Sequence, residues 1–151
     1  MIQSYVELTE LPVRPDDVVA KVLSPKCGAI ATFFGTTRST DGENPVTYLE
    51  YEAYNSMALT VMKTIAKECR IQWPKLEYVA IIHRLGEVPV GEISVGIALS
   101  SPHRADALQA VQFIIDAIKS RVPIWKKEFY ADGSACWKEN KIPMEMTKHA
   151  T

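Results

Sequence analysis

The stretch Ser100–Arg104 contains residue types that together bind anions. Ser101 is suited to cap a helix, Pro102 to occupy its first position, and His103 and Arg104 to complete the first turn. Each cation placed there costs about 0.3–1 kcal/mol against the helix dipole, unless an anion occupies the site. Free backbone N–H groups and Arg104 would then hold a phosphate or carboxylate. The alternative is that Arg104 pairs with a nearby acid and that His103 is simply exposed.

Three lysines further along the chain form a second candidate site. Lys119 ends a predicted helix, where the dipole favours a cation, and Lys126 and Lys127 follow in a predicted strand. Strand alternation places these two on opposite faces, with Lys127 on the face of Trp125 and Phe129. Lysines that are brought together and partly buried lower one another's pKa, which produces a general base or a strong anion site. The alternative is that all three are solvated and cover apolar surface with their alkyl chains.

Helix length constrains how these two candidate sites can combine. Lys119 follows His103 by sixteen residues, about 24 Å along a straight helix. One helix therefore cannot bring both ends to one small ligand. Either the chain has two sites, or a second copy supplies one end, because a two-fold axis can place the start of one helix beside the end of its mate.

A polar loop at residues 35–45 is a third candidate. It is crowded with turn-forming residues between two apolar segments, and Arg38 is its only cation. Loops of this kind, positioned by a rigid scaffold, often carry function.

Composition excludes several classes of protein. The 151 residues are 47% hydrophobic and carry a net charge of −1, which indicates one globular domain with no overall attraction for nucleic acid or an acidic membrane. Cys27, Cys69 and Cys136 are far apart and odd in number, which argues against a secreted disulfide framework and favours the cytosol. The histidines and cysteines lack the spacing of metal ligands. His83 shares a strand face with apolar residues, which is typical of a core or interface histidine and not of a ligand. The sequence therefore predicts neither a metal nor a bound cofactor.

Periodicity and turn signals define the elements that must position these residues. Strands are predicted at 2–8, 28–34, 46–54, 76–85, 93–100, 124–130 and 136–138, and helices at 15–24, 55–72 and 103–120. The strand at 28–34 is expected to be buried, residues 86–92 to form a turn, and Asn55 or Ser56 to cap the second helix. The third helix is expected to carry an apolar stripe formed by Ala107, Leu108, Val111, Ile114, Ile115 and Ile118. Hairpins mixed with two long helices predict an α+β fold with helices packed on a mainly antiparallel sheet. One domain is predicted at 1–139, followed by a mobile tail at 140–151.

Several motifs occur in an order that resembles a known family. They are Gly28-Ala29, Phe34-Gly35-Thr36-Thr37-Arg38, Leu49-Glu50-Tyr51-Glu52-Ala53-Tyr54, Met57-Ala58, Trp73-Pro74, His83-Arg84-x-Gly86, Gly91-Glu92, Ser101-Pro102-His103-Arg104 and Pro123-Ile124-Trp125-Lys126-Lys127-Glu128. From about residue 5 to 139 the chain resembles the catalytic large subunit of molybdopterin synthase. Its Thr-Thr-Arg and Val-Pro-Ile-Trp-Lys-Lys-Glu segments are most similar to those of the eukaryotic members.

The resemblance implies an α/β hammerhead-type fold and a homodimer at the core of a heterotetramer. Each large subunit would receive the C-terminal Gly-Gly thiocarboxylate of a small ubiquitin-like subunit, and pass its sulfur to cyclic pyranopterin monophosphate. Two transfers build the dithiolene of molybdopterin in molybdenum cofactor biosynthesis. Lys119 and Lys126 match the family's catalytic lysines. Arg38, His103 and Arg104 match its substrate contacts, some of them donated across the dimer, and Lys127 is assigned to the substrate with them.

Two other functions fit the residues without the resemblance. One is a cysteine-persulfide sulfurtransferase that uses Cys27, Cys69 or Cys136, and the other is a noncatalytic α+β module that binds a small anion. A persulfide enzyme needs a thiolate stabilised by a helix N-terminus or by nearby cations. Cys69 lies instead on the apolar face of a predicted helix.

Overall fold

The computed structural model describes residues 3–39 and 44–138. These residues form eight strands and three helices. In chain order they are β1 (Ser4–Thr9), α1 (Pro15–Ala20), β2 (Ala29–Thr36), β3 (Val46–Ala53), α2 (Asn55–Gln72), β4 (Val79–Arg84), β5 (Gly86–Pro89), β6 (Ile93–Ser101), α3 (Arg104–Arg121), β7 (Ile124–Tyr130) and β8 (Ala135–Lys138). The predicted tail at 140–151 lies outside the described residues, and the domain boundary at residue 139 stays a prediction.

The strands form two four-stranded sheets, in the orders β1-β4-β6-β2 and β5-β3-β7-β8. The pair β1–β4 is the only parallel one among the described strands, while the remaining pairs are antiparallel. Among the described strands that follow one another in sequence, only β7 and β8 pair directly, so most of the pairings join strands that are not consecutive. The predicted α+β class with mainly antiparallel strands is therefore confirmed.

The first sheet is covered on both faces. Val79 and Ile81 of β4 belong to the large core that includes the buried residues of α2 and α3. Ala80 and Ile82, which alternate with them, pack in a smaller cluster with Val18 of α1. Since successive strand residues point to opposite faces, α1 lies on one side of this sheet and the two long helices lie on the other.

The long helix α3 follows its predicted apolar pattern with one exception. Ala107, Ala110, Ile114 and Ile118 are buried at spacings of three and four residues, which aligns them on one helix face. Leu108 was expected in that stripe but is 61% exposed. It follows Ala107 directly, so a rotation of about 100° carries it off the buried face.

Two strand predictions are wrong. The strand predicted as buried at 28–34 is β2, which forms an edge of the first sheet and leaves Ile30 and Phe33 43% and 36% exposed. Residues 86–89, expected in a turn, form β5 and pair with β3. A short apolar run shows that a segment is extended, but it cannot show which faces and edges its neighbours cover.

The predicted helix caps are also wrong. In the described chain, α2 begins after Tyr54 and α3 begins after His103, and neither of these residues makes a side-chain capping hydrogen bond. Asn55 and Ser56 lie inside the first turn of α2. Ser101 is buried at the end of β6. Packing against the sheet and the neighbouring helix therefore determines where these helices start, because tertiary contacts outweigh a cap worth about 1 kcal/mol.

Candidate active site

The last turn of α3 positions Lys119. The helix follows β6 and packs back across β6 and β2, so its last turn returns to the end of the sheet where β6 begins and β2 ends. Arg121 in the same turn donates two hydrogen bonds to the Glu68 carboxylate of α2, at 2.6 and 3.1 Å. This bidentate contact joins the ends of the two long helices beside Lys119.

Lys126 approaches Lys119 from the second sheet. On β7 it lies directly opposite Tyr51 of β3, and cross-strand partners project from the same face of a sheet. Tyr51 is buried, so Lys126 shares the inner face of this sheet with it. Burial lowers the pKa of Lys119, and the positive charge of Lys126 lowers that pKa further. The structure therefore brings together the two lysines that the sequence predicted as catalytic.

A buried histidine lies beside these lysines. His83 at the end of β4 is 6% exposed, and its Nδ1 lies 2.8 Å from the carbonyl oxygen of Arg84. Its ring meets Tyr51 edge to face, with centroids 5.0 Å apart. Burial lowers the pKa of His83 to about 4. The hydrogen bond to Arg84 opposes this shift, and the charge of Lys119 adds to it. The prediction of a satisfied core histidine is confirmed, but its place next to Lys119 was not foreseen.

Tyr51 also connects this cluster to the end of β2. Burial raises the pKa of the Tyr51 hydroxyl, and the neighbouring Ser94 side chain acts in the opposite direction. The Ser94 hydroxyl in turn donates to the carbonyl oxygen of Gly35 at 3.2 Å. Glu128 lies two residues after Lys126 on the same face of β7 and accepts a 2.7 Å hydrogen bond from the hydroxyl of Tyr130. The cluster thus contains amines, a neutral imidazole, a phenol and a carboxylate.

Arg38 lies on the loop that leaves β2 at this end of the sheet. The preceding residue, Thr37, donates its N–H to the Glu92 carbonyl at 3.0 Å, and its own carbonyl accepts from the Gly91 N–H at 2.7 Å. The Glu92 carboxylate accepts a 2.8 Å hydrogen bond from Arg84. These contacts fix the start of the loop, while the Arg38 side chain is exposed to solvent. Arg38 is therefore available to an anion at the end of the sheet that carries Lys119.

His103 and Arg104 lie at the opposite end of α3. Both are exposed, and Arg104, not Pro102, is the first helical residue. Lys119 follows Arg104 by fifteen positions, about 22 Å along the helix. One chain therefore does not bring these residues close to Lys119 and Lys126. Their assignment to a site shared with a second copy stays a prediction.

Lys127 also lies apart from Lys119 and Lys126. It alternates with Lys126 along β7, so it projects from the other face of the sheet. There its ammonium lies over the rings of Phe129 and Trp137, 5.5 and 5.2 Å from their centroids. The prediction that Lys127 shares a strand face with aromatic residues is confirmed. Its contact with the substrate stays a prediction.

Comparisons with known proteins identify the family. Residues 8–121 match the family described as MoaE protein. The chain belongs to the MoaE family. A molybdopterin synthase catalytic subunit of Aedes aegypti is 50% identical over 140 residues, which cover 91% of this chain and 90% of that relative. One from Taeniopygia guttata is 48% identical over 139 residues, 92% of this chain and 89% of the relative.

Solved structures of MoaE relatives share the architecture. The crystal structure of molybdopterin synthase from Staphylococcus aureus superimposes with a TM-score of 0.83 at 36% identity, covering 87% of this chain and 95% of that one. A MoaE protein from Burkholderia ambifaria gives a TM-score of 0.80 at 30% identity, with 97% of each chain covered. The family resemblance and the hammerhead-type α+β fold predicted from the sequence are therefore confirmed.

The buried cysteine of this MoaE chain is poorly placed for persulfide chemistry. Cys69 is buried in α2, and burial raises the pKa of its thiol to about 12. Cys27 is partly buried and Cys136 is exposed at the edge strand β8, and all three are free thiols. A persulfide carrier needs a stabilised thiolate, and Cys69 provides the opposite environment.

Replacing all three cysteines with alanine is expected to leave most of the sulfur-transfer activity, because the family resemblance implies that the sulfur arrives on a partner subunit and not on a thiol of this chain. The measurement is dithiolene formation by the folded triple variant, with circular dichroism confirming its fold. Loss of turnover in a folded protein would instead assign sulfur transfer to one of the thiols.

Neither a metal-binding cluster nor a membrane-spanning helix occurs among the described residues. Residues 3–39 and 44–138 contain no group of three or more His, Cys, Asp or Glu side chains that could hold a metal ion. Among the helices in these ranges, none is long and apolar enough to cross a membrane.

Proposed function

We propose that this protein transfers sulfur from the C-terminal thiocarboxylate of a small ubiquitin-like subunit to cyclic pyranopterin monophosphate, forming the dithiolene of molybdopterin. The observation that carries the proposal is the pair Lys119 and Lys126 at a partly buried junction of two sheets, in a chain whose relatives are molybdopterin synthase catalytic subunits. The thiocarboxylate and the phosphate are both anions, and cations are needed to hold them in contact.

The two lysines take different roles in this proposal. Lys119 binds the thiocarboxylate carbonyl and stabilises the charge that develops on its oxygen, which is most effective in a site that excludes water. Lys126 assists the opening of the cyclic phosphate or moves a proton there. Burial and mutual repulsion lower the pKa of Lys119, so its amine gives up a proton more readily than a solvated lysine.

The proposed assembly places two copies of this chain at the centre and one small subunit at each end. In Helicobacter pylori, subunits 1 and 2 of molybdopterin-converting factor form a complex. This chain has the fold of a chain in that complex, with a TM-score of 0.70. The 22 Å from Arg104 to Lys119, an estimate from helical rise, supports a second copy as the donor of His103 and Arg104. Free cysteines support the cytosol as the location.

Reconstitution tests the proposal directly. The purified chain is mixed with a thiocarboxylated small subunit and cyclic pyranopterin monophosphate, and dithiolene is measured. Product is expected only with the thiocarboxylate form, with two loaded partner molecules consumed for each dithiolene. Equal turnover with a persulfide donor would favour the cysteine-dependent alternative. Binding of pyranopterin without any turnover would favour the anion-binding module.

Arg38→Ala and Arg104→Ala are expected to weaken pyranopterin binding more than partner binding. Each change removes charge-assisted contacts worth about 1.5–3 kcal/mol, or roughly 10- to 150-fold in affinity. Calorimetric titration with each ligand separately provides the measurement. Arg14→Ala is the matched control, because Arg14 is also exposed but precedes α1 on the far side of the first sheet. Equal losses for both ligands would contradict separate phosphate contacts.

A further inference from the structure

We propose that Arg84 and Glu92 are positioning residues for Arg38, which is assigned above to the pyranopterin phosphate. The inference rests on that proposed role of Arg38, and neither member of the pair touches substrate in it. Both belong to sequence motifs, His83-Arg84-x-Gly86 and Gly91-Glu92, that the proposed function leaves without a role. Two successive links connect the pair to Arg38, one through side chains and one through the backbone.

The first link is a largely buried ion pair. Arg84 is the last residue of β4 and is 8% exposed. Its Nη1 donates a 2.8 Å hydrogen bond to Oε1 of Glu92, whose side chain is 44% exposed. Glu92 is the last residue of the turn between β5 and β6. The ion pair therefore ties this turn to the end of β4.

The second link joins the same turn to the residue that precedes Arg38. The N–H of Thr37 donates to the Glu92 carbonyl at 3.0 Å, and the Gly91 N–H donates to the Thr37 carbonyl at 2.7 Å. Both contacts are made by the backbone, since the buried Thr37 hydroxyl has no hydrogen-bond partner among the described residues. The position of the turn therefore sets the position of Thr37, and Thr37 is bonded directly to Arg38.

The pairing of β2 with β6 shows why the chain needs this restraint. The register between the two strands shifts at Gly35 and Thr36, just before the loop that carries Arg38. An irregularity of this kind bends the strand and interrupts the ladder of hydrogen bonds. Beyond it, the contacts of Thr37 with the turn determine the direction in which the chain leaves the sheet.

The strand face that carries Arg84 indicates that the ion pair does more than stabilise the fold. Ala80 and Ile82 lie on the same face and are apolar and buried. An apolar residue at position 84 would continue that face, whereas the buried Arg84 Nε has no hydrogen-bond partner among the described residues. Buried ion pairs are often no more stabilising than apolar replacements, and their best-attested role is to fix one specific arrangement. Here that arrangement is the turn and, through Thr37, the start of the Arg38 loop.

A double variant, Arg84→Met with Glu92→Gln, removes the ion pair without leaving a buried charge unpaired. The methionine keeps an unbranched side chain at the buried position, and the backbone contacts of the turn are not altered. This ion-pair variant is made both in the wild-type chain and in Arg38→Ala. The matched control is Glu10→Gln with Arg14→Met, which removes one acid and one arginine from exposed positions before α1.

Four measurements are made on each protein. Calorimetric titration gives its affinity for cyclic pyranopterin monophosphate and, separately, for the small subunit. The reconstituted complex gives dithiolene formation, and thermal unfolding checks the fold. A purely structural ion pair would alter thermal unfolding alone, or would lower affinity whether or not Arg38 is present.

The expected result is a loss of pyranopterin affinity that depends on Arg38. The ion-pair variant binds pyranopterin about 5- to 50-fold more weakly, because misplacement of a binding group by about 1 Å has effects of up to about 100-fold. Its loss does not exceed that of Arg38→Ala. In the Arg38→Ala background the same change has less than about a 2-fold effect, since no guanidinium remains to be misplaced. Affinity for the small subunit is unchanged, and the control variant behaves as wild type.

Unchanged pyranopterin affinity in the folded ion-pair variant would overturn the inference. An equal fold-loss with and without Arg38 would also overturn it, because the ion pair would then act independently of that side chain, and so would wild-type affinity in Arg38→Ala. If the double variant does not fold, Glu92→Gln alone, which keeps a neutral acceptor for Arg84, decides by the same comparison. A wild-type complex that forms no dithiolene would instead refute the proposed function itself.

Discussion

Lys119→Ala is expected to lower turnover by about 100-fold or more while leaving the protein folded. The Lys119 amine is partly buried and close enough to Lys126 for their charges to interact, so no water-exposed cation can replace it. Removal of a single preorganised donor at developing negative charge typically costs 100- to 1000-fold in kcat. Stability changes little, because burial and the charge of Lys126 lower the pKa of Lys119, so the folded protein already disfavours its charged form and loses little when that charge is removed.

Single-turnover dithiolene formation with a saturating thiocarboxylated partner provides the measurement, with thermal unfolding as the check on folding. Lys119→Arg retains the positive charge but cannot release a proton, so its activity separates charge stabilisation from proton transfer. Lys67→Ala, on the exposed face of α2, is the matched control and keeps wild-type turnover. Lys126→Ala is expected to be similarly impaired. Near wild-type kcat in folded Lys119→Ala would remove this lysine from the mechanism.

Mixing Lys119→Ala chains with Arg104→Ala chains is expected to restore activity that neither variant has alone. The two residues are about 22 Å apart along one helix, so a shared site requires Arg104 from the second copy. A mixed dimer then has one site with both changes and one with neither. Random pairing yields about half mixed dimers, and the mixture approaches about a quarter of wild-type activity.

Differently tagged, coexpressed chains allow the mixed dimer to be isolated and assayed. A mixture of Lys119→Ala with Lys126→Ala is the informative control, because these residues meet within one chain and no site in their mixed dimer keeps both. That combination stays inactive. An inactive Lys119→Ala and Arg104→Ala mixture, with Arg104→Ala itself inactive, would show that the site is complete within one chain.

The amino-acid sequence by itself determined the elements and the chemistry available to them. Apolar residues at spacings of three and four specify α3, and alternation specifies β7, because each pattern follows from the geometry of a single element. Alternation also placed Lys126 and Lys127 on opposite faces of β7. The length of α3 showed that His103 and Lys119 cannot reach one ligand within a single copy. The motif order identified the family, which the comparisons confirmed.

Tertiary structure alone decided which of these groups meet. Lys126 approaches Lys119 because β7 pairs with β3 in the register that sets Lys126 opposite Tyr51, and no local pattern specifies that register. His83 belongs to the cluster for the same reason, since its place beside Lys119 depends on how α3 packs back across the sheet. Strand order likewise made β2 an exposed edge. Periodicity acts over a few neighbouring residues, whereas pairing and packing depend on contacts between distant segments, which the separate segments do not encode.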